Sequence, residues 1–101
     1  MKRLSKTDAL DLVMNGGHVI HVRDTGRHDR YGRTHYSYVV TAHGDGDDNS
    51  YVDAGWITSA YFDALVRCEI VKETDRFLWG YYGFNDGTGY YYHEYVRANR
   101  L

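Results

Sequence analysis

Nine of the nineteen residues in 77–95 are aromatic, and one turn signal, Asn85-Asp86-Gly87-Thr88-Gly89, divides them. Two strands joined at such a turn form a β-hairpin. Successive strand residues point to opposite faces, so the rings occupy both. One face can pack on the domain that carries the hairpin. The other must meet solvent, a second chain or a ligand. The segment is therefore expected to be a contact surface and not a catalytic pocket.

The chain has 101 residues, of which 43% are apolar and 16% aromatic. That is a globular composition, long enough for one domain with a modest core. There is no proline, so glycine and Asx residues must make the turns. Cys68 stands alone, where a small secreted domain would carry an even set. No apolar stretch follows Lys2-Arg3. The expectation is an intracellular, reducing, cytoplasmic setting without a signal peptide or membrane span.

Net charge is −2, but the charges are segregated. Residues 1–35 hold seven basic and four acidic side chains, whereas 36–75 hold two and eight. A molecule with one basic and one acidic face would follow if chain order mapped onto the surface.

Ser5-Lys6-Thr7-Asp8 has the form of a capping box, with Asp in place of the usual Glu. Leu10, Val13 and Met14 follow at helical spacing, and Asn15-Gly16-Gly17 supplies a stop. A helix is predicted over 6–15. A short strand follows over 18–23, then a polar loop over 25–33. Residues 34–43 alternate: Tyr36, Tyr38, Val40 and Ala42 on one side, His35, Ser37, Thr41 and His43 on the other. Val39 is the apolar exception. This predicts a half-buried antiparallel strand. Residues 51–56 are extended in this reading. Thr58 caps a second helix over 59–68, with Phe62, Leu65 and Val66 inward and Cys68 beside them as a small core residue. The fold expected is α+β: a small antiparallel sheet of two hairpins with two α-helices packed on one face. Trp56 and Trp79 are the candidate anchors of the helix–sheet seam.

Six histidines raise the question of a metal. His18 and His21 lie three apart on a strand and point to opposite faces. His35 and His43 share a face but stand roughly 26 Å apart along it. Neither pair chelates, and no metal or other cofactor is expected. Asp45-Gly46-Asp47-Asp48-Asn49 is faintly similar to a calcium loop, but Ser50 and Trp56 occupy the positions that need Gly and a bidentate Glu. No nucleophile–base pair and no phosphate-cradling loop is visible, so the chain is read as a non-enzyme.

Two polar or aromatic groupings remain. Tyr81, Tyr82, Tyr90, Tyr91, Tyr92 and Tyr95 exceed what a small core can hold, and tyrosine concentrates in protein interfaces. With the carboxylates Asp45, Asp47, Asp48 and Asp53 they form the candidate partner-binding set. Arg23, Arg27, Arg30 and Arg33, with His28 and Tyr31 between them, could instead grip phosphates or carboxylates. They are the alternative, nucleic-acid-binding set.

The stretch Ile57-Thr58-Ser59-Ala60-Tyr61-Phe62-Asp63-Ala64-Leu65, then Ile70-Val71 and the hairpin, resembles the C-terminal half of a winged-helix domain over 57–97. That resemblance implies a DNA-binding transcriptional regulator. Residues 18–43 depart from it, reading as a β-hairpin where the family has a helix-turn-helix. In size, acidic middle and tyrosine surplus the whole chain is similar in type to small inhibitors of phages and mobile elements, including anti-CRISPR proteins. That likeness implies a partner that is a host protein or ribonucleoprotein complex, such as a CRISPR effector. A homodimer would also bury the spare aromatic face.

Overall fold

The structure is a computed structural model that describes residues 1–44, 51–81 and 89–98, with side chains described except at 75–81 and 89–92. Its elements are α1 (Lys6–Met14), β1 (Val19–His28), β2 (Thr34–His43), β3 (Tyr51–Ile57), α2 (Ser59–Arg67), β4 (Val71–Tyr81) and β5 (Gly89–Arg97). The five strands form one antiparallel sheet in the order β3-β2-β1-β5-β4. The architecture is α+β, with the two predicted hairpins inside one sheet and β3 added at the edge of β2.

Both helices start where the caps foretell. Ser5 Oγ accepts the Asp8 amide at 3.1 Å, and Thr58 Oγ1 accepts the Tyr61 amide at 3.2 Å. Each satisfies a donor that the first helical turn leaves open. Arg97 closes the other end of α1 by donating from Nη1 to the Met14 carbonyl at 2.7 Å. The charge suits the negative end of the helix dipole.

One core joins the helices to a single face of the sheet: Ala9 and Val13 of α1, Phe62 and Leu65 of α2, and Ile20, Val40, Ile57 and Val71 of the strands. The seam is aromatic, and among the described residues phenylalanine and tyrosine form it. Phe62 stacks on Tyr38 at 4.6 Å between ring centroids and meets Tyr95 edge-on at 4.8 Å. Trp56 pairs with Val39 and so points to the face away from the helices, where it is 36% exposed. Its amide donates to the Lys2 carbonyl and its carbonyl accepts from Leu4, so residues 2–4 run alongside β3. The side chain of Trp79 lies outside the described residues. Gly55 makes the approach possible: a Cβ there would stand 2.7 Å from both Leu4 Cγ and the Lys2 carbonyl.

Three further expectations change. Val66, expected on the inward stripe of α2, is exposed, and Phe62 and Leu65 alone are the buried residues of that helix. Cys68 is exposed, since α2 ends at Arg67 and the thiol sits beyond its last turn as the C-cap. The polar stretch read as a loop over 25–33 is strand up to His28. A bulge between Asp24 and His28, with Gly26 at φ 76°, lets β1 continue past the glycine. The true connection is 29–33, folded around Asp29, whose carboxylate accepts the Tyr31 and Arg33 amides.

Candidate functional site

The face of the sheet away from the helices carries buried polar side chains. His21, Thr41 and Glu94 are all buried there, beside Val39. The register brings them together: His21 stands opposite Val39 on β2 and opposite Glu94 on β5. His21 Nε2 lies 3.1 Å from Glu94 Oε2. A carboxylate accepts only, so this nitrogen carries the proton and donates. The Tyr51 hydroxyl donates to the same carboxylate oxygen at 3.3 Å, and its ring meets His21 edge-on at 4.5 Å. His43 completes the row, its ring 4.5 Å from Tyr51. Burial pushes the His21 pKa below its ordinary value, against the opposing pull of the Glu94 hydrogen bond. The imidazole is thus held neutral.

One step along the sheet, Arg23 grips Asp53 with two bonds, Nη1 to Oδ2 at 2.9 Å and Nη2 to Oδ1 at 2.8 Å. The guanidinium holds the Asp53 carboxyl below the usual range. Arg23 and Asp53 come from the two candidate sets, and they meet as an ion pair that compensates both charges.

The remaining arginines differ among themselves. Arg33 donates from Nε to Asp29 Oδ2 at 2.7 Å, in an exposed pair. Asp29 sits below its ordinary pKa, chiefly because the Arg33 amide bonds its carboxylate. Arg30 and Arg33 flank the Tyr31 ring at 5.0 and 5.2 Å. Arg27 and Arg30 have no ion pair among the described residues.

Of the tyrosines, Tyr95 packs on Phe62 in the helix-covered core. Tyr81 closes β4 opposite Gly89, Tyr90 pairs with Gly80, Tyr91 with Trp79 and Tyr92 with both Leu78 and Arg23. Tyr82, Asp45, Asp47 and Asp48 lie outside the described residues. β4 ends and β5 begins at the end of the sheet where 29–33 join β1 to β2. β2 ends and β3 begins at the opposite end. The His21–Glu94–Tyr51 cluster was not singled out from sequence. Its one signal is parity: His21 alternates with Ile20 and Val22, as Val39 and Thr41 alternate with Val40, so polar and apolar residues share the second face.

Among the described residues no three His, Cys, Asp or Glu side chains converge as a metal site would require, and no helix is long and apolar enough to cross a membrane. No protein-family model matches the chain, and neither the curated proteins nor the solved structures contain a match.

Proposed function

We propose that this chain is a non-enzymatic protein-binding module that docks through its β4–β5 hairpin. Its mode of action would be that of a phage or mobile-element inhibitor occupying a host nucleic-acid-binding complex. The observation that carries this reading is the pairing of a one-sided helix layer with three successive tyrosines in β5. Strand residues alternate, so Tyr90, Tyr91 and Tyr92 cannot all be taken by the helix-covered face. Rigid rings with a hydroxyl at the tip are the usual anchors of protein interfaces. Tyr95 drops out of the docking set, because its ring serves the core. Asp53 drops out as a source of steering charge, because Arg23 compensates it. Steering toward a basic partner then falls to Asp45, Asp47 and Asp48. The exposed thiol of Cys68 suits a reducing, cytoplasmic setting.

Alanine at Tyr90, Tyr91 and Tyr92 together tests the reading. Capture of host partners from lysate should be lost while the urea unfolding midpoint stays within a few tenths of a molar unit of the parent. A collapse of the fold instead would assign these rings to the core. Dimers in light scattering that dissociate in the same variant would make the second copy the partner.

The second reading, a nucleic-acid-binding regulator of winged-helix type, is favoured by Arg27 and Arg30, which have no ion pair among the described residues and lie at or next to the 29–33 connection. Binding of duplex DNA would then weaken by about 0.9 log units per log of salt for each phosphate contacted. No binding at low salt would eliminate it.

A further inference from the structure

β2 is longer than the strand that covers its edge. β3 pairs along it as far as Tyr38↔Ile57, and the chain then turns at Thr58 into α2. Among the described residues, the next four of β2 toward its start, Thr34, His35, Tyr36 and Ser37, have no strand on that side.

The direction of the backbone groups follows from bonds already described. Trp56 bonds outward to residues 2–4, so its neighbours Gly55 and Ile57 turn inward to Val40 and Tyr38. Alternation then points the amide and carbonyl of Tyr36 to that same side, past the end of β3. The opposite set agrees: the His35 carbonyl faces β1, where it accepts the Thr25 hydroxyl at 2.8 Å. Among the described residues nothing bonds the outward groups of Tyr36.

A groove of about 900 Å³ lies along this edge. Its lining includes His35, Tyr36, Ser37 and Tyr38, four successive strand residues. Successive residues alternate faces, so a groove that touches all four tracks the edge of the strand and not a face of the sheet. Trp56 forms an apolar wall, and Tyr36 is itself 44% exposed. Arg27, His35 and Met1 with its α-amino group bring ionisable nitrogen to the lining, and no carboxylate is among the described lining residues, in a chain whose net charge is −2. Asp24, across from Tyr36, uses Oδ1 to accept the Gly26 amide. Asp63 lies near Tyr38 but outside the lining. The first residue of α2 opens onto the same groove and adds the positive end of its dipole.

We propose that this groove receives an extended acidic peptide, which pairs with β2 as an added strand in line with β3. Main-chain bonds to Tyr36 supply affinity that is independent of sequence, and Arg27 selects for carboxylates. No residue of β5 is among the described lining residues, and the proposal stands without its tyrosines.

The probe is a fluorescein-labelled eight-residue peptide alternating glutamate and valine, with a lysine–valine peptide as its counterpart. On the full-length protein the acidic peptide should give a saturable rise in anisotropy and the basic one none. Arg27→Glu should weaken the acidic peptide at least about tenfold. Exchange of the Tyr36 amide hydrogen should slow in the complex. N-methylation of every second peptide amide should abolish binding in one phase and spare it in the other, with the protein unaltered. Equal binding of both N-methylated phases would overturn strand addition. So would saturation by an oligothymidylate with no binding of the acidic peptide, which would make the groove a nucleic-acid site. The variant with alanine at Tyr90, Tyr91 and Tyr92 should keep the peptide, which separates failure of this inference from failure of the hairpin reading.

Discussion

Glu69, just past the C-cap of α2, has φ 57°. The helix needs that conformation to stop: the Glu69 amide bonds the Val66 carbonyl and the Ile70 amide reaches back to Leu65. A side chain with a Cβ is strained there, whereas glycine is not. Glu69→Gly should therefore raise stability by about 0.5–1 kcal/mol after its own entropic cost. A higher urea midpoint at unchanged slope is the expected signature, and a lower midpoint would show that the glutamate makes a compensating contact. The sequence marks the start of this helix better than its end. Thr58 announces its cap through its own side chain, a local signal. No glycine announces the stop, so the helical pattern runs on to Cys68 and an exposed thiol reads as core. Trp56 misleads for a related reason. Ring size favours burial, but position in the sheet decides it, and Phe62 takes the seam.

At the scale of elements, alternation makes β2 legible over its full length, although its buried residues, Val39, Val40 and Thr41, are consecutive and lie on both faces. β1 is legible only in its apolar half. Beyond Arg23 it projects past the core, and a strand there has no need of apolar residues. Its polarity and Gly26 read as loop, although a bulge carries the pairing through to His28. The β3 edge has the opposite character. Nothing in residues 1–4 foretells that they lie along Trp56, yet Gly55 is fixed by that contact. In Gly55→Ala the new Cβ meets the Lys2 carbonyl as well as Leu4, so side-chain rotation alone cannot relieve it. A loss of about 1–3 kcal/mol is expected. Amide exchange at Leu4 and Trp56 should accelerate together in the variant. If stability falls without that local change, the strain is relieved elsewhere.

The two faces of the sheet give the whole molecule its response to acid. The helix-covered face is bound mainly by apolar contacts, whose strength is little affected by protonation, with the exposed His93–Glu73 pair on the same side. The other is bound by charged and polar pairs whose members lie 73 and 30 residues apart in the chain. A single sequence does not reveal partners at that distance, which is why the buried pair escaped sequence reasoning while the helices and hairpins did not. His21 is pushed below its ordinary 6.5 chiefly by burial. The unfolded chain therefore takes up this proton at a higher pH than the folded one. Stability contributed by the neutral imidazole is complete above about pH 6.5 and falls as pH drops below it, by at most about 1.4 kcal/mol per pH unit for one proton. Asp53 is lowered from 3.8 by Arg23, so its contribution persists to lower pH and is lost only below that value. Urea unfolding at pH 7.5, 6.5 and 5.5 should show the first loss while the Arg23–Asp53 pair is still intact. His21→Gln keeps a donor for Glu94 and removes the titration. It should be less stable than the parent at pH 7.5 but lose less between pH 7.5 and 5.5. Equal losses in the two proteins would place the acid sensitivity in other groups and leave His21 a purely structural donor.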